Sequence, residues 1–157
     1  MQPSVQRVID AGAPHGITVE VREFPDGTRT AEDAARAVGV DVAQIVKSLV
    51  FVVDGEVVVA LVSGANRVDE RALAVAANRP EATVTRPDAN TVREATGFAI
   101  GGVPPFGHTT PLATFVDRDL LGFEVVWAAA GTPHHVFPTA PRDLVQVSGA
   151  TVADLKQ

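Results

Sequence analysis

No cysteine occurs in the 157 residues, which excludes disulfides, thiol nucleophiles and zinc sites of the cysteine type. Aromatic residues make up only 5% of the chain, too few for a surface of stacked rings of the kind that holds single-stranded nucleic acid. Positive charge is not in excess either: 13 Lys and Arg face 19 Asp and Glu, a formal net charge of −6. That balance disfavours a broad, sequence-independent grip on nucleic acid and leaves room for a small local basic pocket. No apolar run approaches the length of a membrane span, and the amino-terminal MQPSVQRVIDAG lacks the apolar core of a signal peptide. A cytoplasmic protein with no membrane partner is the expectation. Lysine itself is scarce, occurring only at Lys47 and Lys156, with arginine supplying every other basic side chain.

The apolar fraction is 46%, mostly Val and Ala with some Leu, which suits a compact α/β core. The length suits one domain spanning residues 1–157, and no repeat, low-complexity segment or linker divides it. Val5, Val8 and Ile9 share one face of a short helix over Ser4 to Ala13 that ends at Gly12. Thr18 to Phe24 alternates as a half-buried strand does, and Pro25-Asp26-Gly27 signals a turn. Thr30 is the N-cap of TAEDAARAVG, with acidic residues in the first turn and Gly39 at the end. Val42 to Val46 reads as one more helical turn. Ser48 to Val53 and Glu56 to Val62 form a hairpin across Asp54-Gly55, the strongest short-range signal in the chain. Asp69 to Ala77 and Asp88 to Thr96 read as helices, the second closed by Gly97. Leu112 to Val116, Glu124 to Ala128 and the residues around Val136 read as strands. Pro141 to Val147 reads as a helix, and a last short helix is expected around Val152 to Leu155. Helices and strands are intermixed, with an antiparallel hairpin, so the pattern predicts a mixed sheet flanked by helices and not a parallel doubly wound fold.

Three features carry candidate chemistry. Lys47 is flanked by Ile45, Val46, Leu49, Val50 and Phe51, and an ammonium among such residues needs an anionic partner or loses its charge. A ligand phosphate suits it, because lysine binds phosphate as a point charge; a lysine that snorkels to solvent is the alternative. Thr96 to His108, TGFAIGGVPPFGH, joins a Gly101-Gly102 turn, which lets a ligand approach the backbone, to a stiff Pro104-Pro105 pair. Free amides in such a turn can hold an anionic or carbonyl oxygen, although an ordinary connecting loop has the same composition. In AAAGTPHHVF, Ala128 to Phe137, the adjacent histidines point to opposite sides of an extended chain. No third ligand is apparent, so no metal is expected, and one imidazole facing a pocket remains open beside a surface role. Ser63-Gly64-Ala65-Asn66 ends the hairpin where a cleft could form. No nucleophile–base–acid triad can be assembled.

Taken in order, VKSLVF, TGFAIGGVPPFG, a strand, a glycine turn and APRDL near the end resemble the YbaK-type family of aminoacyl-tRNA deacylases. That family is related to the editing domain of bacterial prolyl-tRNA synthetases, and the resemblance runs from about Gly16 to Leu155. It implies a single α/β domain with a mixed, mostly antiparallel, barrel-like sheet core flanked by helices. It also implies hydrolysis of the ester joining a wrong amino acid to the 3′-terminal adenosine of a tRNA. The family's lysine matches Lys47, and its glycine–x–x–x–proline loop matches Gly101 to Pro105. By this resemblance Lys47, Gly101 and Gly102 are the catalytic candidates, while Pro105, Ser63, Thr30 and His134 are candidates for binding substrate. The partner implied is the aminoacylated CCA end, with an aminoacyl-tRNA synthetase as a further candidate partner, and no cofactor is implied. The segment GTPHHVF departs from both the cysteine-removing and the alanine-removing branches, so the amino acid does not carry over. A non-catalytic binding module of the same fold, or a hydrolase of another small ester, is the alternative function.

Overall fold

The structure is a computed structural model that describes residues 2–157. Its backbone is organised by the hairpin β2 (Ile45–Val53) and β3 (Glu56–Ser63). Asp54 and Gly55 both take positive φ, 52° and 84°, as the tight two-residue hairpin turn demands. The paired register runs from Val53↔Glu56 to Val46↔Ser63.

Around the hairpin the remaining strands are β1 (Arg22–Glu23), β4 (Val84–Thr85), β5 (Ala113–Asp117), β6 (Val126–Ala129), β7 (His135–Thr139) and β8 (Thr151–Ala153). They make one eight-stranded sheet in the order β1-β7-β6-β2-β3-β5-β8, with β4 pairing β2 off this path. The β1–β7, β2–β3, β2–β4 and β6–β7 pairs are antiparallel, and β2–β6, β3–β5 and β5–β8 are parallel. The helices are α1 (Pro3–Gly12), α2 (Ala31–Val38), α3 (Glu70–Ala76), α4 (Ala89–Thr96) and α5 (Pro141–Ser148). The mixed sheet with flanking helices is therefore the architecture expected. Among the described residues no helix is long and apolar enough to cross a membrane.

Alternation along β2 and β3 divides the interior. Val46, Val50, Val59 and Leu61 pack with Val8, Phe98, Phe137 and Leu144 in the main core. Phe51, Val53, Val58, Ala60 and Val62 face the other way, onto Leu73, Phe115 and Leu155. A third cluster joins Ala34 and Ala35 of α2 to Ile45, Trp127 and Val136. Because both faces of the hairpin are buried, its run of Val and Leu is nearly unbroken by polar residues. Each fully buried valine contributes about 1.5 kcal/mol or more.

The caps hold as read. Thr30, Asp69 and Asp88 each accept backbone N–H bonds at the start of a helix, and Gly39 and Gly97 close theirs in the left-handed conformation. Three segments differ from the sequence reading. The strand expected over Thr18 to Phe24 shortens to Arg22–Glu23, because β7 offers it an edge only at His135 and Val136. The helical turn expected over Val42 to Val46 is a 3-10 turn, Val42–Gln44, and Ile45 already pairs with Trp127. The last helix, around Val152 to Leu155, is instead β8, paired in parallel with the edge of β5. In that case an available sheet edge overrides a weak local preference.

Candidate active site

Strand β2 has a different neighbour at each end of the edge facing away from β3. Ile45 and Val46 pair with Trp127 and Ala128 of β6, while Val52 and Val53 pair with Thr85 and Val84 of β4. Between them the sheet splays and a cleft of about 710 Å³ opens, a size usual for small-molecule sites. Its floor is Lys47, Ser48, Leu49 and Val50, and its walls include Thr28 to Glu32, Arg86, Pro87, Val92, Ile100, Gly101, Val103 and Ala128.

Lys47 lies inside β2, one residue beyond the β6 pairing. Its Nζ donates to the Asn66 carbonyl oxygen at 2.5 Å, and it makes no ion pair among the described residues. Burial lowers its pKa from the ordinary lysine value; the Arg67 charge pushes the same way, while Glu32 and Asp117 oppose it. A half-buried ammonium held by a neutral carbonyl is therefore still short of a counter-charge.

The carbonyl that aims Lys47 is itself fixed by a buried carboxylate. Asp117, 1% exposed at the end of β5, accepts from the Ser63 N–H at 3.2 Å and from Asn66 Nδ2 at 2.8 Å. Its other oxygen accepts from the Asp119 N–H at 3.0 Å. Ser63 is 2% exposed, and its hydroxyl donates to the Ala43 carbonyl at 2.7 Å. Ser63 thus sits behind the cleft wall and shapes the turn. Gly64 follows it where a Cβ would lie 2.4 Å from the Val42 carbonyl oxygen, so only glycine fits there.

Thr30 lines the cleft while its Oγ accepts from the Asp33 N–H at 3.0 Å. The chain before it is laced to the loop after β6: the Thr28 and Phe24 N–H groups donate to the Pro133 and His134 carbonyls, each at 2.7 Å. Across the opening, Gly101 has φ 92° and faces the Arg29 stem and the Pro133 ring. Among the described residues the Gly101 N–H takes up no backbone acceptor, whereas the Gly102 N–H donates to the Ala99 carbonyl at 3.0 Å. Gly102 also packs so closely on Thr132 that a Cβ would lie 2.7 Å from its Cα. Of the two glycine amides expected to hold an oxyanion, Gly102's is engaged, which leaves Gly101's. Pro105 is buried behind this loop and does not line the cleft.

Neither adjacent histidine lines the cleft. His134 is exposed, its Nδ1 3.3 Å from the Phe24 carbonyl oxygen. His135 is buried, with Nδ1 2.5 Å from Thr132 Oγ1 and Nε2 3.3 Å from Glu23 Oε2. Both brace loops that flank the site. Among the described residues no group of three or more His, Asp or Glu is placed to hold a metal ion.

The structure thus brings Lys47, Thr30 and Gly101 to one cleft and sets Ser63, Gly102, Pro105 and His134 behind or beside it. It adds Arg29, Glu32 and Arg86, which sequence reasoning did not single out. Arg29 and Arg86 make no ion pair among the described residues, and the Arg86 guanidinium lies 4.8 Å from the Phe51 ring centroid. Three cations against Glu32 make the cleft locally basic on a chain of net charge −6. Isolated arginines in a turn and before a proline carry no sequence signal that would have found them.

Similarities to known proteins bear on this cleft. The family model described as "Aminoacyl-tRNA editing domain" matches residues 25–147. The uncharacterized protein YwhH of Bacillus subtilis is 31% identical over 133 residues, covering 85% of this chain and 83% of that protein. A proline–tRNA ligase of Desulforamulus reducens is 37% identical over 81 residues, which are 52% of this chain but 14% of the ligase. A crystal structure described as "a putative trans-editing enzyme for prolyl tRNA synthetase" superposes with a TM-score of 0.92 at 47% identity, over 100% of this chain and 99% of that one.

Proposed function

The chain belongs to the aminoacyl-tRNA editing domain family, and from that premise we propose that it is a free-standing deacylase that removes a mischarged amino acid from the 3′ end of tRNA. The observation that carries this reading is the Lys47 ammonium, held by a neutral carbonyl in a cleft rimmed by Arg29 and Arg86. A neutral small ester gives three cations against one cleft carboxylate no purpose. The phosphate and ribose oxygens of a terminal nucleotide do, since a charge-assisted hydrogen bond is roughly twice as strong as a neutral one.

The absence of a nucleophile–base pair in the cleft fits the substrate. An aminoacyl ester is already activated, so the protein needs chiefly to orient it and to stabilise the oxyanion. Water attacks the carbonyl carbon, aided by the neighbouring ribose hydroxyl. The carbon–oxygen bond to the ribose then breaks, and that oxygen leaves with a proton. In this reading the Gly101 N–H receives the negative charge, Lys47 holds the nucleotide, and Thr30 lines the aminoacyl end. Selectivity follows from the size of the apolar part of the cleft, where one methylene is worth about 1–3 kcal/mol.

The test is a panel of mischarged tRNAs incubated with the pure protein. Release of amino acid from one or a few members is expected. Binding without release would make the chain a recognition module, and neither would point to a different small ester. The proline–tRNA ligase similarity makes tRNAPro the first member to try, and a synthetase the partner to add.

A further inference from the structure

Hairpin geometry decides which backbone groups face the cleft. The Gly64 N–H donates to the Ile45 carbonyl, so odd-numbered residues of β2 exchange hydrogen bonds with β3 and even-numbered ones point outward. Of the outward set, Val46 is taken by β6 and Val52 by β4. Ser48 and Val50 are left, their N–H and C=O groups directed into the cleft with no partner strand. The gap is built in. Continuing the Val52↔Thr85 register would set residue 87 opposite Val50, and Pro87 has no N–H to give.

This edge has a definite chemistry. The Ser48 carbonyl accepts and the Val50 N–H donates, side by side along the strand. The surroundings are Val92, Val103, Ile100 and Pro87, with Ile100 55% exposed at the rim. A neutral, flat group fits, with a donor next to an acceptor on one edge and two apolar faces. An α-ammonium would instead favour Glu32, the carboxylate lining the cleft. A peptide strand would find only two outward residues to pair with, because β6 and β4 close the gap at both ends.

Resting on the deacylase reading, we propose that the unpaired edge of β2 is the subsite for the terminal adenine. The 6-amino group donates to the Ser48 carbonyl, and N1 accepts from the Val50 N–H. Single-stranded ends are commonly read in this way, on the Watson–Crick edge of an unstacked base. The spacing agrees with the phosphate anchor. Val50 is three residues from Lys47, roughly 10 Å along a strand, comparable to the reach of a nucleotide from its phosphate to the far edge of its base. The subsite makes the enzyme a reader of adenine as well as of ester, through groups that no side-chain substitution removes.

The experiment is a titration of the full chain with adenosine 5′-monophosphate and inosine 5′-monophosphate, followed by amide NMR. Inosine keeps the size, ribose and phosphate but exchanges donor for acceptor at the positions read. Adenosine monophosphate is expected to shift the Ser48 and Val50 amides and to bind at least about 5-fold more tightly than the inosine compound, the cost of leaving a buried polar group unpaired. Equal affinities, or shifts that leave the Val50 amide unmoved, overturn the subsite. So does the absence of any shift. The titration is independent of hydrolysis. A chain that deacylates tRNA but takes the two purines alike refutes this subsite alone, and one that selects adenine but releases no amino acid refutes the deacylase reading alone.

Discussion

Replacing Lys47 by methionine removes the ammonium and keeps most of the side chain's bulk. In the free protein Nζ has a single hydrogen bond, to the Asn66 carbonyl, and no ion pair among the described residues. Burial already disfavours its charged form, so methionine should leave the melting temperature within about 2 °C of wild type. In the proposed function, the same ammonium meets a phosphate or ribose oxygen once substrate is bound. A hydrogen bond involving a charged group is worth about 1.5–3 kcal/mol, and about 1.4 kcal/mol is tenfold, so kcat/KM for deacylation should fall roughly 10- to 150-fold. Lys47→Arg should not restore it. The compact ammonium sits 2.5 Å from a carbonyl that Asp117 pins through Asn66, and a broad planar guanidinium does not fit that position. The assay is the initial rate of amino-acid release from mischarged tRNA, paired with a thermal melt of each variant. Wild-type kcat/KM in the methionine variant would refute the anchor. A large loss of melting temperature would show instead that Lys47 serves the fold.

Gly102→Ala puts a methyl group 2.7 Å from the Thr132 backbone and should cost about 1–3 kcal/mol in denaturant unfolding; Gly101→Ala has room, with 3.5 Å to its nearest neighbour, but is strained at φ 92° and should lose more turnover than stability. Ser48 Oγ is buried without a hydrogen-bond partner among the described residues, so Ser48→Ala should raise the unfolding free energy by about 1 kcal/mol; a drop would mean the hydroxyl is satisfied in solution. The two lysines should titrate apart by NMR, Lys47 below the ordinary 10.5 because it is buried and Lys156 above it because Asp119 accepts its hydrogen bond. Between Lys47's lowered value and 10.5 the unfolded chain binds more protons there, so that group's contribution to stability rises with pH, whereas Lys156's is lost as pH climbs through its raised value. With a net charge of −6, and with the basic residues other than Lys47, Arg29 and Arg86 spread along the chain outside the cleft, tRNA affinity should fall with salt at a shallow log–log slope, on the order of −1 to −2 at about −0.7 per phosphate; a steep slope, or failure of a short acceptor-stem mimic, would reveal an extended surface.

Local rules located the hairpin, the caps and the lysine. Asp54-Gly55 between two valine-rich runs left one turn available, and Thr30, Asp69 and Asp88 each started a helix because their side chains accept amides within the next three residues. Lys47 stood out because a charge among Ile, Val and Leu needs a reason that a surface arginine does not. The family pattern then joined it to the Gly101 loop, and both do line one cleft. Errors came where a segment's state depends on a distant partner. β8 is a strand because β5 had a free edge, and Thr18 to Phe24 is mostly not one because its register on β7 would next set Glu20 opposite Pro138, which has no N–H to give.

The cleft itself has no local cause. It exists because Val84–Thr85 and Val126–Ala129 reach opposite ends of the same strand edge, and Pro87 stops the first from closing on the second. The alignment of Lys47 likewise runs through Asp117, which is 54 residues from Ser63 in sequence and bonded to it in space. Sequence determined the periodicity, turns, caps and isolated charge, because those depend on neighbours along the chain. Tertiary structure decided the open edge, which glycine amide of the loop is engaged and the three convergent cations, because hydrogen-bond satisfaction and charge compensation are settled only between segments that meet on folding.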